Sequence, residues 1–440
     1  MPFAVTDEPR FLAIREAELR RRAFPSWSLG TSSLILLAMI SAFVQTDLLV
    51  AQDGRGESQT NVDAAAADTT EQRKPNLHPA PPLPVDDADL AHAIDRGVEF
   101  LLRTQNRDGS WGSAERTKDL NIMAGIGSHH AFRTAVTAMC VSALIEVADL
   151  QQPAVLQAVE RGETHLFEQL SAVRRDEPSL IYNVWTHAYG IQSLVDMHGR
   201  LPDDQARRDK IAGLIREQFD KLTKYESAEG GWGYYDFHAG TQRPASSSTS
   251  FVNAAVLVAF DDAKRIGIEP PPKLVERALK MLQFQRKPDN TYLYGTYLRN
   301  NPMMPINRPG GSLGRSQACN LALRVWGDTS IEDTVCREWL DRLITRNGWL
   351  DMGRKRPIPH ESHFQVAGYF YYFGHYYAAL NIPLLPAADR PFYQDHLARI
   401  LMGHQEQDGS WWDYPLYNYH QPYGTAFALM SLRHCRKSNP

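Results

Sequence analysis

The sequence predicts an all-α fold closed into a ring of six helical hairpins, and three observations carry that prediction. From residue 86 onward apolar residues recur at helical spacing, with no run that alternates at the period of a strand. Six helices close on similar small-apolar-Leu patterns, at Leu144, Leu194, Leu257, Leu323, Leu380 and Leu432. Their intervals of 50, 63, 66, 57 and 52 residues leave room for two helices and loops and exceed the periods of TPR, ankyrin or HEAT units. Finally, the turn inside the first unit, Gln105-Asn106-Arg107-Asp108-Gly109-Ser110-Trp111, returns in the last as Gln405-Glu406-Gln407-Asp408-Gly409-Ser410-Trp411.

Three regions follow in order. In residues 1–51, Arg10, Arg15, Arg20, Arg21 and Arg22 precede an apolar run over 29–44, and Ala51 supplies a small residue after it. That pattern reads as a secretory signal. Continued through 48–50 it is just long enough to span a bilayer, so a membrane anchor is the alternative, and Asp47 favours cleavage. Either way the basic flank stays inside, and the rest of the chain is expected in the periplasm or outside the cell. Residues 52–85 hold Ala64–Ala67 and Pro79, Pro81, Pro82 and Pro84, with little to bury, and are expected to be a disordered linker. Residues 86–440 form the ring.

The chain has 43% hydrophobic and 22% charged residues, enough for a large soluble core. A net charge of −4 argues against a dedicated nucleic-acid binder. Cys140, Cys319, Cys336 and Cys435 lie far apart, without zinc spacing, and read as buried thiols.

Within the ring the outer helices are expected to begin near Asp89, Ala154, Gln205, Pro272, Ile331 and Phe392. In the first, Ile94, Val98, Leu101 and Leu102 form an apolar stripe. Twelve helices make six inner and six outer members. An open solenoid would need polar caps at both ends, and no capping helix follows Cys435, which favours closure.

In the repeated heptad, QxxDGSW, Asp-Gly makes a tight turn after the outer helix, with glycine accepting positive φ. The glutamine amide is suited to capping open backbone groups, and the tryptophan to lying over the neighbouring hairpin. Gln105, Asp108, Gly109 and Trp111, with Gln405, Asp408, Gly409 and Trp411, are the structural repeat residues. This heptad resembles the QW motif of squalene–hopene cyclases and the related repeats of protein prenyltransferase β-subunits. Weaker echoes are Glu229-Gly230-Gly231-Trp232, Asn347-Gly348-Trp349, and Gln285 followed by Asp289-Asn290-Thr291-Tyr292; the second unit has none. The resemblance spans about residues 89–435. It implies an (α/α)6 toroid of the terpenoid cyclase kind, with an apolar or isoprenoid-like ligand in its central cavity.

The chemistry that resemblance would bring is incomplete. A protonating cyclase of that family uses DxDD, which is absent; Asp86-Asp87-Ala88-Asp89 marks a helix start, and Asp261-Asp262 ends an inner helix. Counting seven residues back from each closing leucine gives Thr137, His187, Ser250, Ser316, Phe373 and Thr425, none acidic. The zinc pair Asp-x-Cys of the prenyltransferases fails at Asp351, which Gly353 follows two residues on. His363 and His375, with His360 in the preceding loop, leave only a weak metal candidate, and no cofactor is evident. Thioester (Cys-Gly-Glu-Gln) and serine-hydrolase (GxSxG) sequences are also missing.

The site is expected inside the ring near the N-terminal ends of the inner helices, where unpaired amides and the positive dipole end lie. His187, beside Thr186 and Tyr189, is the one ordinarily titratable group in the aligned positions and the best candidate for an acid, base or ligand-orienting group. The aromatic segment 369–377, with Tyr369, Tyr372 and Tyr376, is the expected opposing wall. Arg315, or Arg308, beside the glycine-rich turn 310–314, is a candidate for holding an anion. A second aromatic cluster runs from Trp411 to Tyr423. Catalytic status stays open among a ligand-binding toroid, a divergent terpenoid-class enzyme, a carbohydrate-active toroid and a protein-interaction scaffold.

Overall fold

A computed structural model describes residues 77–120, 122, 124–236, 243–244 and 248–436. The signal or anchor segment and most of the linker lie outside the described residues. Twelve principal helices follow in order: α1 Asp87–Thr104, α2 Ile126–Val147, α3 Pro153–Gln169, α4 Asn183–Arg200, α5 Gln205–Tyr225, α6 Ser250–Arg265, α7 Pro272–Gln285, α8 Leu313–Val325, α9 Asp333–Thr345, α10 Phe370–Asn381, α11 Arg390–Met402 and α12 His420–Cys435. A one-turn helix, Asn347–Asp351, follows α9. Among the described residues no strand forms, only isolated bridges such as Leu180 to Tyr235.

The even-numbered helices are the inner wall. Each packs on the next, from α2 through α4, α6, α8 and α10 to α12, and α12 returns to α2. The odd-numbered helices lie outside them, which makes the unit an (α/α)6 toroid. Local chemistry starts the outer helices. Asp86 Oδ1 accepts from Ala88 N (2.7 Å) to cap α1, Asp204 does the same for α5 through Arg207 N (3.0 Å), and proline opens α3 and α7. On α1, Leu90, Ile94, Val98 and Leu101 are buried, the stripe expected of an outer helix. The inner helices are buried over most of their length, and α8 carries Arg315, Gln317 and Asn320 inside. α2 is long and apolar enough to cross a membrane, yet 78% of its most apolar window is buried in the ring, which marks it as a core helix.

The heptads are locks between hairpins. Gln105 Nε2 donates to Gly109 O (2.9 Å) inside the turn and to Ala158 O (2.8 Å) on α3. Trp111 Nε1 reaches back to Leu101 O (2.8 Å), and Trp111 N donates to Thr137 Oγ1 (3.1 Å) on α2. The last unit repeats the set: Gln405 Nε2 to Gly409 O (3.0 Å) and Ala93 O (2.9 Å), Trp411 Nε1 to Leu401 O (2.7 Å), and Trp411 N to Thr425 Oγ1 (3.0 Å). Gly109 and Gly409 take φ of +82° and +86°. In the fourth unit Asn290 occupies the same left-handed place at φ +55°. An arginine from the following outer helix secures the motif carboxamide or its replacement: Arg161 on Gln105, Arg277 on Glu226 and Arg96 on Gln405. For the last unit the following helix is α1. A Cβ on Gly97 there would come within 2.8 Å of the Trp411 ring, so glycine lets the tryptophan seat on the first hairpin and close the circle.

Two expectations need correcting. Five closing leucines are fully buried, but Leu380 is only half-buried. The α10 pattern is therefore rotated relative to the other inner helices. The linker also ends earlier than residue 85. His78 stacks on Phe392 at 4.7 Å and bonds Asp341 (3.0 Å), and Arg399 Nη2 donates to Pro84 O (2.8 Å). Proline-rich backbone has carbonyls free for such donors, so residues 77–85 lie as an extended strap on α9 and α11.

Candidate functional site

A cavity of about 160 Å³ opens among the N-terminal ends of the inner helices. On α2, Phe132, Val136 and Met139 face it at helical spacing; Tyr182, Trp185 and Tyr189 do so from the start of α4. Phe251 stands at the first turn of α6, with Phe370 4.9 Å away edge to face and Trp185 at 5.9 Å. Phe373, Tyr423 and Phe427 complete the wall from α10 and α12. Among the described residues no carboxyl or imidazole lines this space.

α8 contributes no wall residue. Its place is plugged by Arg315, which is 1% exposed. The guanidinium donates to the carbonyls of Gly311 (2.8 Å), Ile306 (2.7 Å) and Tyr292 (3.1 Å), and lies 5.3 Å from the Tyr294 ring centroid. Burial brings it down to about 10, so it stays charged near neutrality. Its donors are turned onto the loop that precedes α8, which makes it a fastener of that loop; the placement takes it away from the anion-holding role.

The polar groups of the site form its rim. The Tyr234 hydroxyl meets that of Tyr294, which lies 3.3 Å from the Tyr369 hydroxyl, and Tyr369 is in turn 3.1 Å from His360 Nε2. His360 Nδ1 sits 2.7 Å from the Gln365 carbonyl, which assigns its proton to Nδ1 and leaves Nε2 as the acceptor. Burial holds this imidazole down at about 4, neutral at physiological pH. Behind the wall, Asp413 is fully buried. Its carboxylate accepts from the Tyr423 hydroxyl and from Tyr372 N (3.0 Å), and burial pushes it up to about 6. From the sequence His360 was named only within a weak metal candidate, and Asp413 was passed over. Asp413 had one signal, its position two residues after Trp411, and His360 had none beyond its loop.

The residues expected to form the site separate. Tyr189 and Tyr369 are in the cavity wall. Tyr376 faces another chamber, at the opposite end of the inner helices. Tyr372 is buried behind the wall with its hydroxyl unpaired and its backbone N on Asp413. Thr186 pins α4 to α2 through Ala131 O (2.7 Å). His187 is turned toward α5, the outer helix of the following hairpin. Its Nδ1 is 2.8 Å from Gln218 Oε1, its ring stacks on Tyr225 at 5.9 Å, and burial takes it to about 3. Physically, the register seven residues before the closing leucine is the face that grips the motif turns, as Thr137 and Thr425 do; in the unit without a motif, His187 fills that face. His375 bonds Asn347 Nδ2 (2.7 Å) and Tyr371 O (2.7 Å), whereas His363 lies against Trp349 and Phe364. Among the described residues no three His, Cys, Asp or Glu side chains gather as a metal site.

No protein-family model matches the chain, and no curated protein matches it in sequence. Solved structures do resemble it in fold. The cellobiose 2-epimerase of Spirochaeta thermophila superposes with a TM-score of 0.51 at 17% identity, over 79% of this chain and 96% of that one. An α-amylase from Clostridium perfringens reaches 0.50 at 10% identity, over 79% and 98%. A type II terpene cyclase from Scytonema gives 0.44 at 15% identity, over 79% and 98%. Likeness at these identities is one of fold alone.

Proposed function

We propose that the protein binds an apolar, isoprenoid-like small molecule in the aromatic cavity, outside the cytoplasm and delivered there by its N-terminal apolar segment. The observation that carries this reading is the cavity wall, in which aromatic and aliphatic side chains meet and polar atoms stay at the rim. Binding pockets for apolar ligands are lined in this way, with few polar groups. The size narrows the ligand. A dry cavity of about 150 Å³ accepts a benzene ring, so 160 Å³ suits one or two isoprene units or the end of a longer chain. With no acid in the wall, we read the site as one that binds rather than protonates. A sugar would need polar partners around its ring, which this wall withholds. The two heptads we read as repeats of the squalene cyclase and prenyltransferase type.

The test is a titration with geraniol, followed by the fluorescence of Trp185 in the wall. Saturable binding is expected, and Ala135→Phe, which fills the cavity from α2, should weaken it at least tenfold while the thermal midpoint is kept. Unchanged binding in that variant, or an equal thermal shift from cellobiose, would overturn the reading. A reporter fused after Val85 should be found outside the cytoplasm.

A further inference from the structure

At the C-terminal ends of the same inner helices lies a second chamber of about 330 Å³. Glu146 of α2, Asp196 of α4 and Asp262 of α6 all face it. Acidic side chains in the last turn oppose the helix dipole, which favours cations there, so three of them on neighbouring helices work against their own helix ends. Their partners are sparse. Asp196 accepts from Ser142 Oγ (2.6 Å) and Asp262 from Gln192 Nε2 (2.9 Å). Among the described residues Glu146 has only Arg433 Nε, 3.9 Å away. Arg265 approaches Asp262 (3.3 Å) but is shared with Asp261, and both arginines stand about half exposed at the mouth.

A second observation is independent of the acids. Tyr376 of α10 is 5% exposed, lines the chamber and, among the described residues, makes no hydrogen bond through its hydroxyl, while all three carboxyls act on that phenol. A hydroxyl with no protein partner at the wall of a chamber is available to a ligand there. Tyr189 presents its ring from α4.

We propose that this chamber is a second binding site, made for an organic cation: an aliphatic amine or short diamine held among Glu146, Asp196 and Asp262, with Tyr376 as a further acceptor. The acids are not gathered closely enough to coordinate a metal, so the occupant is larger than an ion and bridges them. The faces of Tyr189 and Tyr376 suit an ammonium group. This site is independent of the apolar ligand, although Tyr189 and Met139 line both spaces. Burial raises Asp196 to about 7 and Asp262 to about 6, and burial with the neighbouring acids raises Glu146 as well. A bound cation restores the ionised forms, so binding releases protons near neutrality. Arg433, Arg265 and Asp261 are the other charged groups at the mouth.

The experiment is calorimetric titration of the full protein with 1,4-diaminobutane at pH 8 and pH 5.5, at constant ionic strength, with glucose as a neutral polyol. Saturable binding at pH 8 is expected to weaken at least tenfold at pH 5.5. Asp196→Asn and Asp262→Asn should each weaken it at least tenfold, and Tyr376→Phe about threefold. Absence of binding at millimolar diamine, indifference to pH, or equal binding of glucose overturns the proposal. So does full affinity in both aspartate variants; should either variant fail to fold, the pH dependence of the unaltered protein decides.

Discussion

The two ends of the ring are built from the same six helices, yet they treat buried acids in opposite ways. At the N-terminal end Asp413 is enclosed by donors, one from Tyr423 and one from the backbone of Tyr372. At the C-terminal end three acids share one chamber with, among the described residues, one neutral donor each for two of them and none for Glu146. A carboxyl whose needs are met inside the protein belongs to the architecture. One left with unmet needs at the edge of a cavity is available to something outside the chain. The first end is locked by its motif turns and lined with carbon; the second is open and acidic.

The largest expected effect tests the lock. Trp411→Ala should cost about 3–5 kcal/mol in chemical denaturation, because the ring is fully buried and seats on Gly97. A loss below about 1 kcal/mol would break the view that this end is the fixed one. Next, Asp413→Ala strands the Tyr423 hydroxyl and the Tyr372 amide and should cost about 2–3 kcal/mol. A neutral result there would make the two kinds of buried acid alike.

Between the ends, His187 offers a test by pH. Its folded value of about 3 lies below the ordinary 6.5, so the unfolded chain takes up the proton first. Its contribution is whole above pH 6.5 and is lost as pH falls toward 3. His187→Gln should therefore reduce the stability lost between pH 6.5 and 5 by about 1–2 kcal/mol, with geraniol binding unchanged. An unaltered slope, or selective loss of ligand, would return His187 to the cavity. The smallest effect has the opposite sign. Asp262 is raised from 3.8 to about 6, so its stability is whole below 3.8 and lost as pH rises through 6. Asp262→Asn should thus be neutral at pH 4 and stabilising by up to about 1 kcal/mol at pH 8, read from urea midpoints. Destabilisation at pH 8 would show that this carboxylate serves the fold after all.

Much of the architecture was legible because it is local. The outer helices start within two residues of Asp89, Ala154, Gln205, Pro272, Ile331 and Phe392, since caps, prolines and amphipathic stripes are short-range signals. The bonds of Trp111 and Trp411 likewise come from one turn. The site was not legible, because an inner helix such as α2 or α12 is apolar on every side and its periodicity does not say which face looks inward. That is how His187 was nominated on the face that grips the outer layer, and how the rotation of α10 about Leu380 went unseen. Asp413 and His360 depend on contacts with Tyr372, Tyr423 and Gln365 that only the closed ring supplies.

The seat of Trp411 on α1 has a consequence in time. Arg96 and Arg103 on α1 donate to the carbonyls of Glu406, Gln407 and Asp408, some 300 positions later in the chain. Contacts so distant in sequence are made slowly, after the loop between them has been drawn together. Hairpins can form one after another as the chain emerges, but this seam waits for the sixth. Until then α1 and Gly97 expose an apolar groove shaped for a tryptophan, which the last hairpin of another incomplete copy fits equally well. Ring closure is thus a race between a chain's own final hairpin and a neighbour's, and the balance depends on concentration during synthesis.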